Sequence, residues 1–210
     1  MKILKSYDAN FVFLGSRNFV HGTSIISGLF EAIHEWSLGQ AEKIQSNFHK
    51  ALHSQGRYDL LAARSSKVVL EKGYTAIFRV EFRQGMFLVG LKERPESVTT
   101  STPYDEDELI KSYEITKENA SATLLIPADK PLINAIVALN KKLLLSILPT
   151  EGYGRWFLAR LDLELRKIDL SDAKLLNVQM INNMLAMHAK SSVKLENETI
   201  GDIYFSRRQT

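Results

Sequence analysis

Cysteine is absent from the 210-residue chain, which excludes disulfides, thiolate nucleophiles and cysteine-held zinc. No nucleophile elbow is present, because Ser16, Ser24 and Ser27 lack the Gly-x-Ser-x-Gly setting. Phosphate-binding and dinucleotide fingerprints are missing too: Gly85 and Gly90 have the spacing of a glycine loop but no Lys follows. Long apolar runs are lacking. The most apolar stretch, near 131–148, is interrupted by Asn134, Asn140, Lys141 and Lys142, which rules out a bilayer-spanning helix there. Met1-Lys-Ile-Leu-Lys-Ser-Tyr-Asp8 carries no apolar run of signal-peptide length, so a cytoplasmic location is expected. Nor does charge of one sign dominate, with a net charge of +3. The densest basic pairs, Lys141-Lys142 and Arg207-Arg208, are too small for a nucleic-acid footprint. A mildly basic surface suits an anionic small molecule or an acidic carrier protein.

What the chain does contain is an internal repetition. Phe11-Val-Phe-Leu-Gly15 leads into Thr23-Ser-Ile-Ile-Ser-Gly-Leu-Phe-Glu-Ala-Ile33, and Ala122-Thr-Leu-Leu-Ile126 leads into Pro131-Leu-Ile-Asn-Ala-Ile-Val-Ala-Leu-Asn140. Ile25–Leu29 aligns with Leu132–Ile136, and Val80–Leu91 with Val193–Tyr204. Each copy reads as a strand, a turn, an apolar helix and a set of alternating strands. Three segments are expected: a first repeat over 1–94, a connection over 95–120 and a second repeat over 121–210. The apolar content of 45% and charged content of 24% are those of a globular chain able to fill two such cores.

In the first copy, a strand is expected near 10–15. The helix after it carries Ile25, Ile26, Leu29, Phe30, Ala32, Ile33 and Trp36, apolar on nearly all sides and so expected to be wrapped by other structure. Thr23 or Ser24 is the expected cap. Residues 43–52, 58–64 and 68–70 read as extended, and 74–82 with 86–91 as a hairpin turning at Arg83-Gln-Gly85. The acidic run Asp105–Glu108 reads as a solvated face, with a short helix there. In the second copy, Asp129 is the expected cap, with Pro131 in the first helical turn. Strands are expected at 155–165, 174–181, 185–196 and 200–206.

This element order resembles the hot dog fold of acyl-thioesterases and acyl-carrier dehydratases. The resemblance covers nearly the whole chain and implies an α+β architecture of two tandem hot dog-like repeats, each an antiparallel sheet wrapped around a long apolar helix. It also implies an active site at the loop before the central helix and in that helix's first turns. Here those positions are Asn18-Phe-Val-His-Gly-Thr-Ser24 and, further on, Glu31-Ala32. A His-Gly at the helix entrance is similar to the thioesterase branch. A His followed by Glu-Ala on the helix looks like the dehydratase branch, but the Pro-Gly-rich stretch that branch places between them is missing. Hydrolysis of an acyl thioester is therefore expected over dehydration.

The chemistry follows from residue types. Free N–H groups at a helix start stabilise a developing oxyanion, and Gly22 lets a thioester approach the backbone. His21 is the candidate general base. Glu31 is the second catalytic candidate, a water activator with a raised pKa if it is buried. Asn18, Gly22, Thr23, Ser24, Ile26, Leu29 and Phe30 are the candidate substrate contacts. The second copy has Ala128 near the His position and Ala138 opposite Glu31, so one active site is expected, in the first repeat.

Expected partners are acyl-CoA or an acyl carrier protein, with a homodimer possible; no cofactor and no metal are expected. His49 and His53, read as strand and turn, would lie about 13 Å apart, too far to share a metal. Two other readings stay open. One is a non-catalytic protein that binds or senses an acyl ligand in a tunnel beside Ile26, Leu29 and Phe30. The other is a structural or interaction module in which sheet side chains fill those positions.

Overall fold

The computed structural model describes residues 2–62, 73–127, 130–149, 154–168 and 171–208. The chain divides into two compact units, Met1–Tyr104 and Asp105–Thr210. Both are built on antiparallel sheet with few helices. No helix among the described residues is long and apolar enough to cross a membrane.

The first unit runs β1 (Lys2–Ala9), β2 (Phe13–Leu14), α1 (Gly22–Glu35), β3 (Ala41–Phe48), β4 (Ser54–Ala62), β5 (Ala76–Phe82), β6 (Gly85–Ser97) and β7 (Ser101–Thr102). Its main sheet has the order β1-β4-β6-β5-β3, every neighbour antiparallel. β2 and β7 make a separate two-residue parallel pair, Phe13 opposite Ser101 and Leu14 opposite Thr102.

Alternation within β4 fixes which face of this sheet meets the helix. Tyr58 points to α1, where its hydroxyl donates to the Ile25 carbonyl at 2.5 Å. The helix can sit this low only because position 28 is glycine. A Cβ on Gly28 would lie 2.9 Å from the Tyr58 hydroxyl oxygen and 3.2 Å from the Phe11 ring. Ile25, Ile26, Leu29, Ala32 and Ile33 are buried on this side. α1 is more amphipathic than its sequence reads: Ser27, Glu31, His34 and Glu35 form an exposed stripe, at the spacing of one helix face.

Asp59, next to Tyr58, points to the opposite face and is fully buried there. It accepts hydrogen bonds from Ser6 Oγ at 2.6 Å and Tyr74 Oη at 2.9 Å, and Lys92 Nζ lies 2.9 Å from it. Tyr74 precedes β5, and its ring covers Gly90 of β6, where a Cβ would come within 2.5 Å of the ring. Leu61, Ile77 and Leu88 complete this outer cluster with Tyr74. The polar partners make the buried carboxylate tolerable, and the bare Gly90 lets Tyr74 reach across β6 to Asp59.

The second unit runs α2 (Glu106–Leu109), β8 (Glu114–Thr116), β9 (Ser121–Ile126), α3 (Leu132–Ile147), β10 (Arg155–Glu164), β11 (Lys174–Met184), β12 (His188–Leu195) and β13 (Glu198–Arg208). A 3-10 turn at Leu165–Lys167 follows β10. Within this unit the strands are ordered β10-β13-β12-β11-β9-β8. β11, β12 and β13 form a meander, each strand antiparallel to the next in sequence. The first unit differs: β4 and β5 follow one another in the chain, yet β6 lies between them. The aligned hairpins β5–β6 and β12–β13 therefore enter their sheets in reversed order.

Several expectations change. β1 precedes the strand expected near 10–15, which shrinks to Phe13–Leu14. The segment 95–120 is largely structured: β6 continues to Ser97, β7 pairs with β2, and β8 pairs with β9. α2 forms in the acidic run, and that run is not simply solvated: Glu106 and Asp107 pair with Lys141 and Lys142 of α3 at 2.7 and 2.6 Å. β3 ends at Phe48, so His49 and His53 lie on a connecting loop and not on a strand. Among the described residues no group of three or more His, Asp or Glu side chains is placed to hold a metal. Pro131 stands one residue before α3 as its cap position. The expected cap Asp129, residue Ala128, the extended stretch 68–70 and most of the turn at 152–154 lie outside the described residues.

Burial, followed by the Asp59 carboxylate, pushes the Tyr74 hydroxyl well above its ordinary value of 10.0; burial does the same to Tyr58. The folded chain thus keeps protons that the unfolded chain releases above about pH 10, and stability falls as pH rises past that point. In urea titrations the midpoint should drop above about pH 10, with a smaller drop in Tyr74→Phe. At neutral pH, Tyr74→Phe should cost about 1–3 kcal/mol, because Asp59 loses a donor in a buried place. Gly90→Val should cost at least about 1–3 kcal/mol by overpacking against the Tyr74 ring.

Candidate functional site

The site is built around the entrance of α1. His21 occupies the cap position in extended backbone (φ −67°, ψ 144°), and its own side chain makes no capping bond. The first helical bond runs from the Ile25 N–H to the His21 carbonyl at 3.1 Å. The N–H groups of Gly22, Thr23 and Ser24 precede it and have no carbonyl within the helix to bond. They carry the positive end of a helix of 14 residues. Thr23 and Ser24, expected as caps, lie inside the first turn.

Thr23 is buried and serves another purpose: its Oγ1 lies 2.8 Å from His21 Nδ1. The half-buried imidazole also faces the Tyr104 ring, with centroids 5.7 Å apart and planes at 49°. The Arg17 guanidinium stands 5.2 Å from the centre of the same Tyr104 ring, and its Nη1 donates to the Leu14 carbonyl at 3.0 Å. Tyr104 comes from the far end of the unit. The parallel pairing of β2 with β7 brings it in, extended by the Gly15 N–H bonding the Thr102 carbonyl at 2.8 Å.

The structure gathers His21, Gly22, Thr23 and Ser24 in one place. Asn18 is nearby in sequence, exposed, and its carbonyl lies 2.8 Å from His53 Nδ1. Ile26 and Leu29 are fully buried beneath the helix, and Phe30 is half-buried on its flank.

Glu31 is not brought to His21. Ten residues along a helix correspond to about 15 Å of rise, and Glu31 is exposed, accepting a hydrogen bond from Tyr7 Oη at 3.2 Å. Tyr7 also lines a polar recess of about 400 Å³ with Ser6, Asp8, Glu35 and Arg57. The Arg57 guanidinium bonds Asp8 at 2.6 Å and holds its carboxyl below the usual range.

Two residues of the α1 entrance, Arg17 and Tyr104, were not selected by sequence. No local pattern marks Tyr104, because its place depends on a parallel pairing between segments more than 80 positions apart. At position 17, an arginine in a polar turn has the look of an ordinary surface residue.

No protein-family model matches the chain, and no curated protein matches it in sequence. Solved structures do match in shape. A tesB protein of Mycobacterium avium subspecies paratuberculosis is 13% identical with a TM-score of 0.54, the match covering 97% of this chain and 93% of that one. A 12:0-ACP thioesterase from Umbellularia californica is 11% identical with a TM-score of 0.52, over 98% and 97% of the two chains. A trans-AT PKS dehydratase domain from Brevibacillus brevis is 10% identical with a TM-score of 0.50, over 98% and 93%. The chain has the hot dog fold. At these identities the likeness is one of fold, and it is shared by a thioesterase and a dehydratase domain alike.

Thr23→Val keeps the shape of the side chain and removes the hydroxyl beside His21. It should cost about 1 kcal/mol in denaturant titrations and shift the His21 ring resonances in NMR spectra, while those of His188 stay in place.

Proposed function

We propose that this chain is an acyl-thioester hydrolase, a tandem double hot dog with its active site at the α1 entrance of the first unit and a second unit without equivalent chemistry. The observation that carries the reading is the start of α1, whose first-turn N–H groups have no partner within the helix, beside a cap-position histidine whose imidazole is held by Thr23 and Tyr104. The acyl group enters as a thioester of coenzyme A or of an acyl carrier protein. Its carbonyl oxygen lies against the N–H groups of Gly22, Thr23 and Ser24, which stabilise the oxyanion as it forms. The His21 imidazole takes a proton from water as the water oxygen bonds to the carbonyl carbon. The carbon–sulfur bond then breaks, the sulfur leaves with the proton returned by the imidazole, and a carboxylic acid remains.

Ser24 and Asn18 border the thioester, and the acyl chain runs along the Phe30 flank toward Ile26 and Leu29. Arg17 supplies a cation at the mouth for an anionic carrier. Glu31 takes no part in the chemistry of this reading. The protein works in the cytoplasm, either alone or as a homodimer. Dehydration is disfavoured because Glu31, the carboxylate it would use, is exposed and distant from His21.

The complete burial of Ile26 and Leu29 favours one alternative, a structural or interaction module whose helix is packed solid; a non-catalytic acyl binder is the other. Thiol release from a panel of acyl-CoA and acyl-carrier thioesters decides among the three, with native mass spectrometry to detect retained ligands. His21→Ala should lower kcat by about 10²–10⁴-fold, and Glu31→Gln should leave it within about twofold. Turnover unchanged in His21→Ala would overturn the assignment. Retention of a ligand without turnover would favour the binder, and neither binding nor turnover the module.

A further inference from the structure

The hairpin that joins β11 to β12 carries an apolar tip. β9 pairs with β11 no further than Ser121 opposite Gln179, whereas β12 follows β11 out to Met184 opposite His188. Ile181 sits at the register shift between Met180 and Asn182. Ile181, Met184 and Leu185 are 52%, 60% and 84% exposed. Residues 181–187, Ile-Asn-Asn-Met-Leu-Ala-Met, contain no charged side chain.

The turn is built against local preference. Leu185 and Ala186 both have positive φ, 51° and 53°, and the Met187 N–H donates to the Met184 carbonyl at 2.9 Å. This is the two-residue type I′ geometry that asparagine and glycine normally occupy. An exposed leucine in left-handed backbone is strained and gains nothing from burial within the fold. The polar groups of the turn are satisfied internally, since the Ala186 N–H donates to Asn183 Oδ1 at 3.1 Å. Entry of the tip into an apolar medium would therefore break neither of these two bonds.

The charge around the tip is of one sign. At this end of the sheet β10 begins with Arg155 and β12 with His188, and the Arg207 N–H donates to the Met187 carbonyl at 2.8 Å. Segments 155–158, 180–190 and 204–208 contain Arg155, His188, Lys190, Arg207 and Arg208 and no Asp or Glu. Lys190 is paired with Asp202, and Arg207 lies over the Trp156 ring. Arg155 and His188 are exposed. The neighbouring turn at 117–120, whose Asn119 carbonyl accepts from Gln179, brings one Lys and one Glu and adds no net charge.

We infer that this hairpin tip docks on an anionic membrane surface: Ile181, Met184 and Leu185 enter the bilayer interface while the basic end of the sheet faces the headgroups. A protein partner fits less well. Three side chains at a turn offer far less than the roughly 800 Å² per partner of a stable protein interface. A bilayer receives a narrow projection without needing a matching surface.

The test uses the full chain and reads lipid binding alone, so it stands apart from hydrolysis in the first unit. In co-sedimentation, the chain should partition onto phosphatidylcholine–phosphatidylglycerol vesicles at least about tenfold more strongly than onto phosphatidylcholine alone, and rising salt should weaken that binding. Leu185→Asn should lower the partition at least about fivefold. Its melting temperature should stay the same or rise, because asparagine suits that turn. Arg155→Glu should reduce the preference for anionic vesicles at least about threefold. Binding to neither vesicle, equal binding to both, or undiminished binding by Leu185→Asn would overturn the inference. So would a Leu185→Asn protein that melts lower, since the fold itself would then hold the leucine. Self-association in sedimentation velocity that Leu185→Asn abolishes, with vesicle binding absent, would assign the tip to a second copy and overturn it as well.

Discussion

Everything at the α1 entrance depends on how low the helix sits on its sheet, and one contact sets that height. The Tyr58 hydroxyl reaches the Ile25 carbonyl in the helix's first turns and occupies the volume a side chain at position 28 would need. Phe11 closes the same gap from the loop side, with its ring edge-on to Tyr58 at 6.3 Å. Helix, sheet and the segment leading to His21 are thereby locked through a single aromatic residue. A helix free to slide on the sheet would carry its cap-position histidine away from the Tyr104 ring that it faces.

Tyr58 and Asp59 are neighbours with opposite duties, one toward the helix and one toward the outer face. The period of two in a strand separates them cleanly, and both faces of β4 are therefore buried. That is unusual for an antiparallel sheet with a helix on one side, where the other face is commonly solvated. In the second unit the outer face follows the common pattern: Leu125 and Leu175, opposite one another in the pairing of β9 with β11, are exposed. The basic pair at Lys141-Lys142 is drawn into ion pairs with α2, and Arg207 is buried with its guanidinium 4.4 Å from the centre of the Trp156 ring. Lys141, Lys142 and Arg207, which read as surface charge in the sequence, are therefore engaged in contacts within the unit.

What the sequence made legible was whatever is local. The strands β5, β6, β12 and β13 are joined by short turns, so their existence could be read directly, although β6 runs on to Ser97, past the expected 91. The two main helices were legible from their apolar runs, and His21 as the residue at the entrance of α1. β1 escaped because Lys2, Lys5 and Ser6 blur its alternation and most of its residues are exposed. The strand order of the first unit was beyond reach, because nothing near β4 announces that β6 and not β5 will pair with it. The exposure of Glu31 escaped for a related reason: counting apolar residues on α1 hid the stripe of Ser27, Glu31, His34 and Glu35. Tyr104 required knowledge of a parallel pairing, which leaves no periodic trace.

The strand order has a consequence for how each unit is assembled as the chain emerges from a ribosome. In the second unit β11, β12 and β13 pair in the order in which they are made, through two tight hairpins, so this meander grows by short steps of loop closure, while β10 waits for β13. In the first unit β4 finds no partner in β5 and waits for β6, with the whole of β5 and its turn synthesised in between. Closing that longer loop costs more entropy before any contact repays it. The two units thus differ in which pairing waits, β4 for β6 in the first and β10 for β13 in the second, and neither sheet is complete until its last long strand has been made.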